Sequence, residues 1–159
     1  MKISDIASDQ AARLVPLLQE LHAIHAENQP ERYPANPADA DLGEWLENWL
    51  AADGVHAIAA QSPSGAVMGY AIYQIETRPT LPIVRGGKRV MLHQIMVDTP
   101  FRSLGVGSSL IKEIQARCKA MEIGTLVTTY ATFNTASAAL MSRMGLTPVT
   151  TVAEWRMGA

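Results

Sequence analysis

The first third of the chain carries apolar residues at helical spacing. Leucines and an isoleucine recur every three or four positions from Asp9 to about Ala26, which predicts a helix. Pro16 lies inside this stretch, and because a proline beyond the first turn removes a helical hydrogen bond, we expect a kink or a later helix start. A second apolar stripe predicts a helix from Asp41 to Ala51. The three prolines of residues 28–39 predict an irregular loop between the two helices.

The rest of the chain alternates between strand-like and helix-like segments. Residues 55–60 and 66–75 are rich in apolar and β-branched positions, and the Ser-Pro-Ser-Gly sequence between them predicts a hairpin turn. Residues 77–88 contain two prolines and a Gly-Gly pair, which predicts a loop, whereas residues 89–97 are apolar enough for a buried central strand. The later pattern predicts, in order, a helix from 106 to about 124, a strand at 125–133, a helix at 135–144 and a last strand at 147–157.

This order of elements, α-α-β-β-β-α-β-α-β, predicts an α/β fold with a mixed sheet and helices on both of its faces. A length of 159 residues suits one domain, and no linker divides residues 1–159 into two. Apolar residues make up 48% of the chain and charged residues 18%, which is typical of a globular enzyme and not of a disordered segment.

The charge balance and the cysteine content narrow the choice of partners and surroundings. Thirteen Lys and Arg residues stand against 15 Asp and Glu residues, so we expect neither a nucleic acid nor a membrane surface as partner. No apolar run approaches the roughly 18 residues of a membrane-spanning helix. Cys118 is the one cysteine and the first residues lack an apolar signal segment, so we expect a cytoplasmic protein.

Residues 102–107, Arg-Ser-Leu-Gly-Val-Gly, join the buried strand to an amphipathic helix. The first turn of a helix leaves about four backbone N–H groups without partners and carries a partial positive charge, so it attracts a phosphate. Gly105 and Gly107 would let the backbone approach an anion that a Cβ atom would push away. The alternative is that these glycines serve helix packing alone. The third glycine of a dinucleotide fingerprint and the Lys-Ser/Thr pair of a Walker loop are both missing.

These residues resemble the signature of the GNAT superfamily of N-acetyltransferases. Arg102, Gly105 and Gly107 match its Arg/Gln-x-x-Gly-x-Gly/Ala motif, and the preceding Ile-Met-Val-Asp-Thr-Pro-Phe is similar to the family's approach to that motif. Asn134 and the Gly145-Leu146 pair match positions in the family's second half. The resemblance implies a mostly antiparallel central sheet flanked by helices. It also implies transfer of an acetyl group from acetyl-CoA to a primary amine, by direct attack in a ternary complex.

The resemblance also assigns cofactor contacts. The strand residues Ile95, Met96 and Val97 would supply main-chain contacts to the pantetheine arm, and Asn134 would touch the same arm. Met141 would lie at the cofactor where many members carry a Tyr that returns a proton to the leaving thiolate. No metal is expected. The pyrophosphate would lie on the loop residues Arg102, Ser103, Leu104, Gly105, Val106 and Gly107.

A proton acceptor is required, because an alkyl ammonium with a pKa near 10 holds few free lone pairs at neutral pH. His93 is the candidate, since residues 91, 93, 95 and 97 share one face of a regular strand and an imidazole titrates near pH 6.5. The alternative for His93 is a hydrogen-bonded core residue. Glu76 is a reserve base, and Gln94 is a reserve only as the ligand of a water. Tyr130 or a water is the candidate proton donor in place of Met141.

The sequence says least about which amine accepts the acetyl group. Tyr33, Glu76 and His93 are the candidate acceptor-binding residues, and Trp45 with Trp49 either belong to the core or wall that site. A small molecule and a peptide amine both remain open as acceptors. The competing hypothesis is a catalytically weak acyl-CoA-binding sensor, and a homodimer is a further expectation from the resemblance.

Overall fold

A computed structural model describes residues 1–158 and contains five strands and four α-helices. In chain order the elements are β1 Lys2–Ile6, α1 Val15–Asn28, α2 Asp39–Leu50, β2 Val55–Gln61, β3 Val67–Arg78, β4 Gly87–Val97, α3 Val106–Ala120, β5 Leu126–Thr128 and α4 Thr135–Arg143. Two short 3-10 segments, Ser8–Leu14 and Thr99–Phe101, precede α1 and follow β4.

The predicted elements of the first two thirds are confirmed with small shifts at their ends. Of the two expectations for the first helix, a kink or a later start, the later start is confirmed. Helix α1 begins at Val15, because Pro16 fits the first turn of a helix and not its interior. Strand β1 was not predicted, since its five residues are too few for a clear alternation.

Of the two strands predicted in the last third, the first is confirmed only in part and the second is wrong. Of residues 125–133 only Leu126–Thr128 pair as a strand, and residues 147–157 join no sheet within the described chain. Both segments have strand composition. Strand composition therefore does not decide pairing by itself, since residues 93–97 of β4 keep an edge that neither segment fills.

The sheet has the order β1-β2-β3-β4-β5. Strands β1 to β4 pair antiparallel with one another. Strand β5 runs parallel to β4 over only three residue pairs: Val90 with Leu126, Met91 with Val127 and Leu92 with Thr128. The sheet is therefore mixed and mostly antiparallel, as expected.

The sheet separates two hydrophobic clusters. Because side chains alternate along a strand, Tyr70 and Ile72 of β3 face the cluster under α1 and α2, whereas Ala71 and Tyr73 face the cluster under α3. Met141 of α4 belongs to this second cluster. Helices therefore cover both faces of the sheet, which confirms the predicted fold class.

A β-bulge at His93 interrupts the pairing of β3 with β4. Ile72 lies opposite Gln94 and Tyr73 lies opposite Leu92, so His93 has no partner residue in β3. One extra residue reverses the alternation of the strand, which places Met91 on the α1–α2 face and Ile95 on the opposite face. The expectation that residues 91, 93, 95 and 97 share a face is therefore wrong.

Candidate active site

Strand β4 has an open edge beyond the bulge. Strand β5 ends at Thr128, opposite Leu92, and among the described residues no other strand takes its place beside residues 93–97. The Asp98 N–H donates to the carbonyl oxygen of Met68 in β3 at 2.9 Å. Backbone N–H and C=O groups alternate in direction along an antiparallel pair. Those of Ile95 and Val97 therefore point towards the open edge, and those of Met96 point towards β3.

The loop that follows β4 turns sharply into helix α3. Ser103 and Gly105 have positive φ angles of 64° and 78°. The first α-helical hydrogen bond runs from the Ser109 N–H to the Gly105 carbonyl oxygen at 2.9 Å, so the N–H groups of residues 106–108 have no helical partner. The Arg102 Nε donates to the Val97 carbonyl oxygen at 3.2 Å, which ties the loop to the open edge. Unpaired donors at a helix N-terminus suit a phosphate.

The two glycines of this loop lie in different surroundings. A Cβ atom at Gly105 would have no heavy atom within 4 Å, so the space beside it is open. A Cβ atom at Gly107 would lie 3.0 Å from Cδ2 of Leu140 and 3.6 Å from Cγ2 of Val97. The expectation that Gly107 clears room for an anion is therefore wrong, because the missing Cβ lets α3 pack closely against α4. The N–H of Gly107 is still one of the helix-start donors.

His93 lies at the boundary between the paired and the open parts of β4, and its side chain is exposed. Its Nε2–H donates to Oε1 of Gln74 at 2.9 Å, and its ring packs edge-on against Trp49 with 5.3 Å between ring centroids. Partial burial lowers the pKa of His93, and the nearby Glu76 carboxylate opposes that shift. The neutral imidazole with Nε2 protonated keeps a lone pair on Nδ1, so His93 can accept a proton at neutral pH. The alternative of a core histidine is wrong, although the side chain is hydrogen-bonded.

The two reserve residues already have partners. Glu76 forms an ion pair with Nε of Arg89 at 2.7 Å. Gln94 accepts a hydrogen bond at Oε1 from the hydroxyl of Tyr70 at 3.0 Å, and burial raises the pKa of Tyr70, which keeps this donor protonated. His93 is therefore the better placed of the three to accept a proton.

A family model described as "Acetyltransferase (GNAT) family" matches residues 18–146. The chain belongs to this family. The match includes β4, the loop at 102–107, α3 and Asn134, and it confirms the resemblance found in the sequence. A comparison with curated protein sequences gives no match.

Solved structures share the GNAT fold at low sequence identity. A tetramutant of the BH1408 protein from Bacillus halodurans superposes with a TM-score of 0.88 at 15% identity, over 99% of this chain and 100% of that one. The aminoglycoside acetyltransferase AAC(6')-Iy, bound to the bisubstrate analogue CoA-S-monomethyl-acetylneamine, gives 0.73 at 22% identity over 99% and 98%. A ribosomal-protein-alanine N-acetyltransferase from Brucella melitensis biovar Abortus 2308 gives 0.72 at 18% identity over 99% and 100%.

The other GNAT positions predicted from the sequence lie after β5. Tyr130 is exposed in the loop that follows β5. Asn134 caps helix α4, where its Oδ1 accepts from the Ser137 N–H at 3.0 Å and its side-chain NH₂ remains available. Met141 is only 2% exposed and packs in the core, so its side chain offers almost no surface to a cofactor.

Tyr33 lies at the far end of α1. Its ring packs against His25 with 5.2 Å between centroids, and His25 packs against Phe133 at 5.7 Å. Tyr33 therefore lies beside the segment that follows β5, and within residues 1–158 its ring contacts do not include Trp49.

One residue beside His93, Gln74, was not predicted as a site residue, and it orients the imidazole. Trp49, which the sequence left open as core residue or wall of the site, covers the ring. A signal for Gln74 does exist in the sequence, because it precedes the candidate Glu76 by two positions on one strand face. The bulge that brings Gln74 to His93 has no such signal.

Two depressions on the described surface lie away from this edge. One, of about 260 Å³, lies between α1 and residues 35–37, and one, of about 510 Å³, lies between α1 and α2; neither includes His93 or residues 102–107. No helix of the described chain combines the length and apolar character needed to cross a bilayer.

Proposed function

We propose that this protein transfers an acetyl group from acetyl-CoA to a primary amine, by direct attack within a ternary complex. One observation carries the proposal: the open edge of β4 connects His93 at one end to the unpaired N–H groups of helix α3 at the other. Val97 lies four residue steps along the strand from His93, which corresponds to about 13 Å. An extended ligand with a diphosphate at one end and a reactive group at the other fits such a path.

The pyrophosphate would be held by residues 102–107. The N–H groups of Val106 and Gly107 are free to donate, and the exposed Ser103 and Leu104 lead into Gly105, where open space would admit the anion. The pantetheine arm would pair with the outward main-chain groups of Ile95 and Val97 as an added strand, with Met96 holding that edge to β3. Acetyl-CoA supplies an activated acyl thioester when it is bound.

The residues of the chain would then manage protons and orientation. His93 accepts a proton at Nδ1 from the acceptor ammonium, directly or through a water, which frees the nitrogen lone pair. The nitrogen attacks the thioester carbonyl carbon, the C–S bond breaks, and the thiolate takes a proton from Tyr130 or from water. The proton that the nitrogen loses as the amide forms then restores that donor. Binding both reactants in one groove supplies the proximity.

A second candidate function is an acyl-CoA sensor with little turnover. The observation that favours it is the buried Met141, because a thioether has no proton to give to the leaving thiolate. A CoA thiol is a fairly good leaving group, so the transferase remains the first choice.

The acceptor is proposed to be a small-molecule or peptide amine. The names of two structural neighbours mention an aminoglycoside analogue and a ribosomal-protein alanine, and both groups are amines. We place the protein in the cytoplasm, where its single buried cysteine stays reduced.

We also propose a homodimer. Its support is the C-terminal segment, where four apolar side chains are more than 80% exposed: Val149, Val152, Trp155 and Met157. Apolar surface of this extent is typical of a contact with another molecule.

The test is a calorimetric titration of the full chain with acetyl-CoA, followed by a free-thiol release assay over a panel of primary amines. We expect binding together with amine-dependent thiol release. Binding without release for any amine would favour the sensor, and no binding would overturn both functions. S-acetylpantetheine is the matched ligand, because it lacks the diphosphate, and we expect it to bind at least about 100-fold more weakly.

A further inference from the structure

The hairpin that joins β3 to β4 projects beyond the rest of the sheet. Strand β2 pairs with β3 no further than Gln74, whereas β3 and β4 remain paired with each other to the ends of both strands. At the turn, the Leu81 N–H donates to the Val84 carbonyl oxygen at 2.9 Å, and the Val84 N–H donates to the Leu81 carbonyl oxygen at 3.1 Å. Residues 77–88, which we call the β3–β4 hairpin, are therefore held in shape by their own backbone hydrogen bonds.

The turn of the β3–β4 hairpin is apolar and faces the solvent. Ile83 is 90% exposed, Leu81 is 50% exposed and Val84 is 38% exposed. None of these three side chains belongs to either hydrophobic cluster of the described chain. Single exposed apolar residues are ordinary, but three of them within four positions at the end of a projecting hairpin indicate a contact with another molecule.

Three cations flank this turn in the sequence. Arg78, Arg85 and Lys88 are exposed, and within residues 1–158 none of them forms an ion pair. The β3–β4 hairpin therefore offers apolar side chains together with three positive charges that the chain does not neutralise. A complementary partner would combine an apolar recess with carboxylates.

The α1–α2 groove, which is the depression of about 510 Å³ between α1 and α2, has this combination. Five of its lining residues are small or apolar and the other three are carboxylates: Ala12, Val15, Pro16, Ala40 and Gly43, and then Asp39, Glu44 and Glu47. No Lys or Arg residue lines the groove, and the described chain pairs none of the three carboxylates with a cation. A recess of this volume has room for several side chains. The groove therefore complements the hairpin in polarity and in charge.

The α1–α2 groove is not filled by the hairpin of its own chain, because Ile83 at the turn is almost fully exposed. The proposed acceptor amine would not react there, because the groove includes neither His93 nor residues 102–107. Opposite charges across a contact fix its register and speed its formation. A second copy of the chain carries the matching surface, with three cations for the three carboxylates.

We propose that the β3–β4 hairpin of one copy binds in the α1–α2 groove of a second copy. Ile83 and its apolar neighbours contact the apolar lining, and the hairpin cations Arg85 and Lys88 pair with Glu44 and Glu47. A twofold axis uses each surface once in each copy and closes a dimer, which is the commonest symmetry of such assemblies. The contact rests on the proposed homodimer and not on the acetyl transfer, and it is separate from the C-terminal segment.

The first experiment measures self-association of the full chain by sedimentation equilibrium at low and at high salt. Two copies of one hairpin contact form a small interface, so we expect a dimer with a Kd in about the micromolar range. The Kd should rise at least about 10-fold between about 50 mM and about 500 mM NaCl, because salt screens charges at exposed contacts. A chain that stays monomeric would overturn the inference together with the homodimer. A dimer without salt dependence would overturn the inference alone.

Charge reversal on either surface tests the pairing itself. The hairpin variant is Arg85→Glu with Lys88→Glu, and the groove variant is Glu44→Lys with Glu47→Lys. In each variant alone, like charges meet across both contacts, so the Kd should rise at least about 100-fold. In an equimolar mixture the reversed hairpin meets the reversed groove, and the native hairpin meets the native groove. The mixture should therefore form heterodimers with a Kd within about 10-fold of the wild-type value.

The matched control reverses two cations of α3. Lys112 and Lys119 are exposed and form no ion pair in the part of the chain that the structure describes. Lys112→Glu with Lys119→Glu therefore changes the net charge as much as the hairpin variant does, and it should dimerise like the wild type. A control that loses the dimer as fully as the hairpin variant would overturn the inference, because net charge alone would then explain the loss.

Substitution at the turn separates the hairpin from the C-terminal segment. Ile83→Ser should raise the Kd at least about 10-fold without loss of stability, because the side chain is exposed in the single chain. If only Trp155→Ser raised the Kd, the C-terminal segment would hold the dimer and the inference would be overturned.

Calorimetry with acetyl-CoA on the same variants separates this contact from the transferase. Acetyl-CoA affinity should stay at the wild-type value in the hairpin and groove variants, since neither surface includes the open edge of β4 or the loop at 102–107. Heterodimers in the mixture of the two variants, in a protein that does not bind acetyl-CoA, would support the hairpin contact while the transferase fails.

Discussion

The two halves of strand β4 show how one strand can be a structural centre and a binding edge. Residues 87–92 pair with β3 along one side, and residues 90–92 also pair with β5 along the other, and the side chains of Val90 and Leu92 are fully buried. Residues 94–97 pair with β3 alone, and their other edge faces the loop at 102–107. The boundary is one residue, His93, where the bulge occurs and where pairing with β5 stops.

The difference shows why the open half can stay open. A strand edge with unpaired backbone groups is a liability in most proteins, because other strands pair with it. Here Val90 and Leu92 of the first half anchor the strand in the cluster under α3, and Met96 of the second half anchors it in the cluster under α1 and α2. The bulge lies where pairing with β5 stops. The outward main-chain groups of Ile95 and Val97 are then held in place by packing elsewhere, and on this edge only the Val97 carbonyl oxygen accepts a side-chain hydrogen bond, from Nε of Arg102.

The largest effect should come from blocking the proposed pyrophosphate site, the loop at 102–107 beside the open half of β4. In Gly105→Glu the new carboxylate would occupy the space proposed for the pyrophosphate and repel it, so we expect acetyl-CoA affinity to fall by more than about 100-fold. The positive φ of 78° adds a backbone cost of about 1–2 kcal/mol, which lowers stability without unfolding the chain. Calorimetry gives the affinity, and urea unfolding gives the stability.

The control for this change is Gly65→Glu in the turn between β2 and β3. Gly65 has a similar φ of 87°, and a Cβ atom there also meets nothing within 4 Å. The two variants should therefore lose similar stability, and only Gly105→Glu should lose acetyl-CoA. Equal affinities in the two variants would show that the diphosphate does not lie on this loop.

A smaller effect is expected at the boundary residue. His93→Ala should lower kcat by about 100-fold at pH 7, which is typical for the loss of a general base. The loss should be smaller at pH 9, because more of the acceptor amine is already neutral there. Because its pKa is lowered, His93 is deprotonated and active above pH 6.5, so the wild-type rate should fall only below that value.

The pH profile of kcat and of unfolding checks this assignment. The lowered pKa means that His93 binds a proton more readily in the unfolded chain than in the folded one. The folded state is therefore expected to lose stability as the pH falls below about 6.5. His56→Ala is the matched control, since His56 is also exposed on a strand but stacks on Tyr73. An unchanged rate in His93→Ala at both pH values would remove His93 from the mechanism.

The fold and the loop could be predicted from the sequence for different reasons. Residues 89–97 are apolar on both faces, which indicates a central strand, and Arg102, Gly105 and Gly107 have a spacing specific enough to indicate the family. The same apolar run conceals the bulge, however. When both faces of a strand are apolar, inserting one residue leaves no break in the alternation, so the sequence could not show that His93 faces Gln74 and Trp49.

The roles of single residues after the loop depended on neighbours that are distant in the sequence. Met141 was placed at the cofactor from its motif position, yet packing of α4 buries it in the core. Residues 147–157 have strand composition, yet they join no sheet, because strand propensity alone does not select a pairing partner. The two glycines of the loop look alike in the sequence, and only the position of Leu140 separates their roles.

The smallest effect should separate those two glycines. A Cβ atom in Gly107→Ala would press on the Leu140 side chain at 3.0 Å, which costs about 1–3 kcal/mol, while the gain in helix propensity returns about 1 kcal/mol. We therefore expect urea unfolding to show a net loss of about 1 kcal/mol in stability. We expect an acetyl-CoA affinity within about threefold of wild type, since a tenfold loss would need a change of about 1.4 kcal/mol in binding free energy. Adding Leu140→Ala should make the Gly107→Ala change neutral or favourable, since the clash is then gone. If Gly107→Ala instead kept full stability and lost acetyl-CoA, both glycines would serve the anion and the contrast with Gly105 would be wrong.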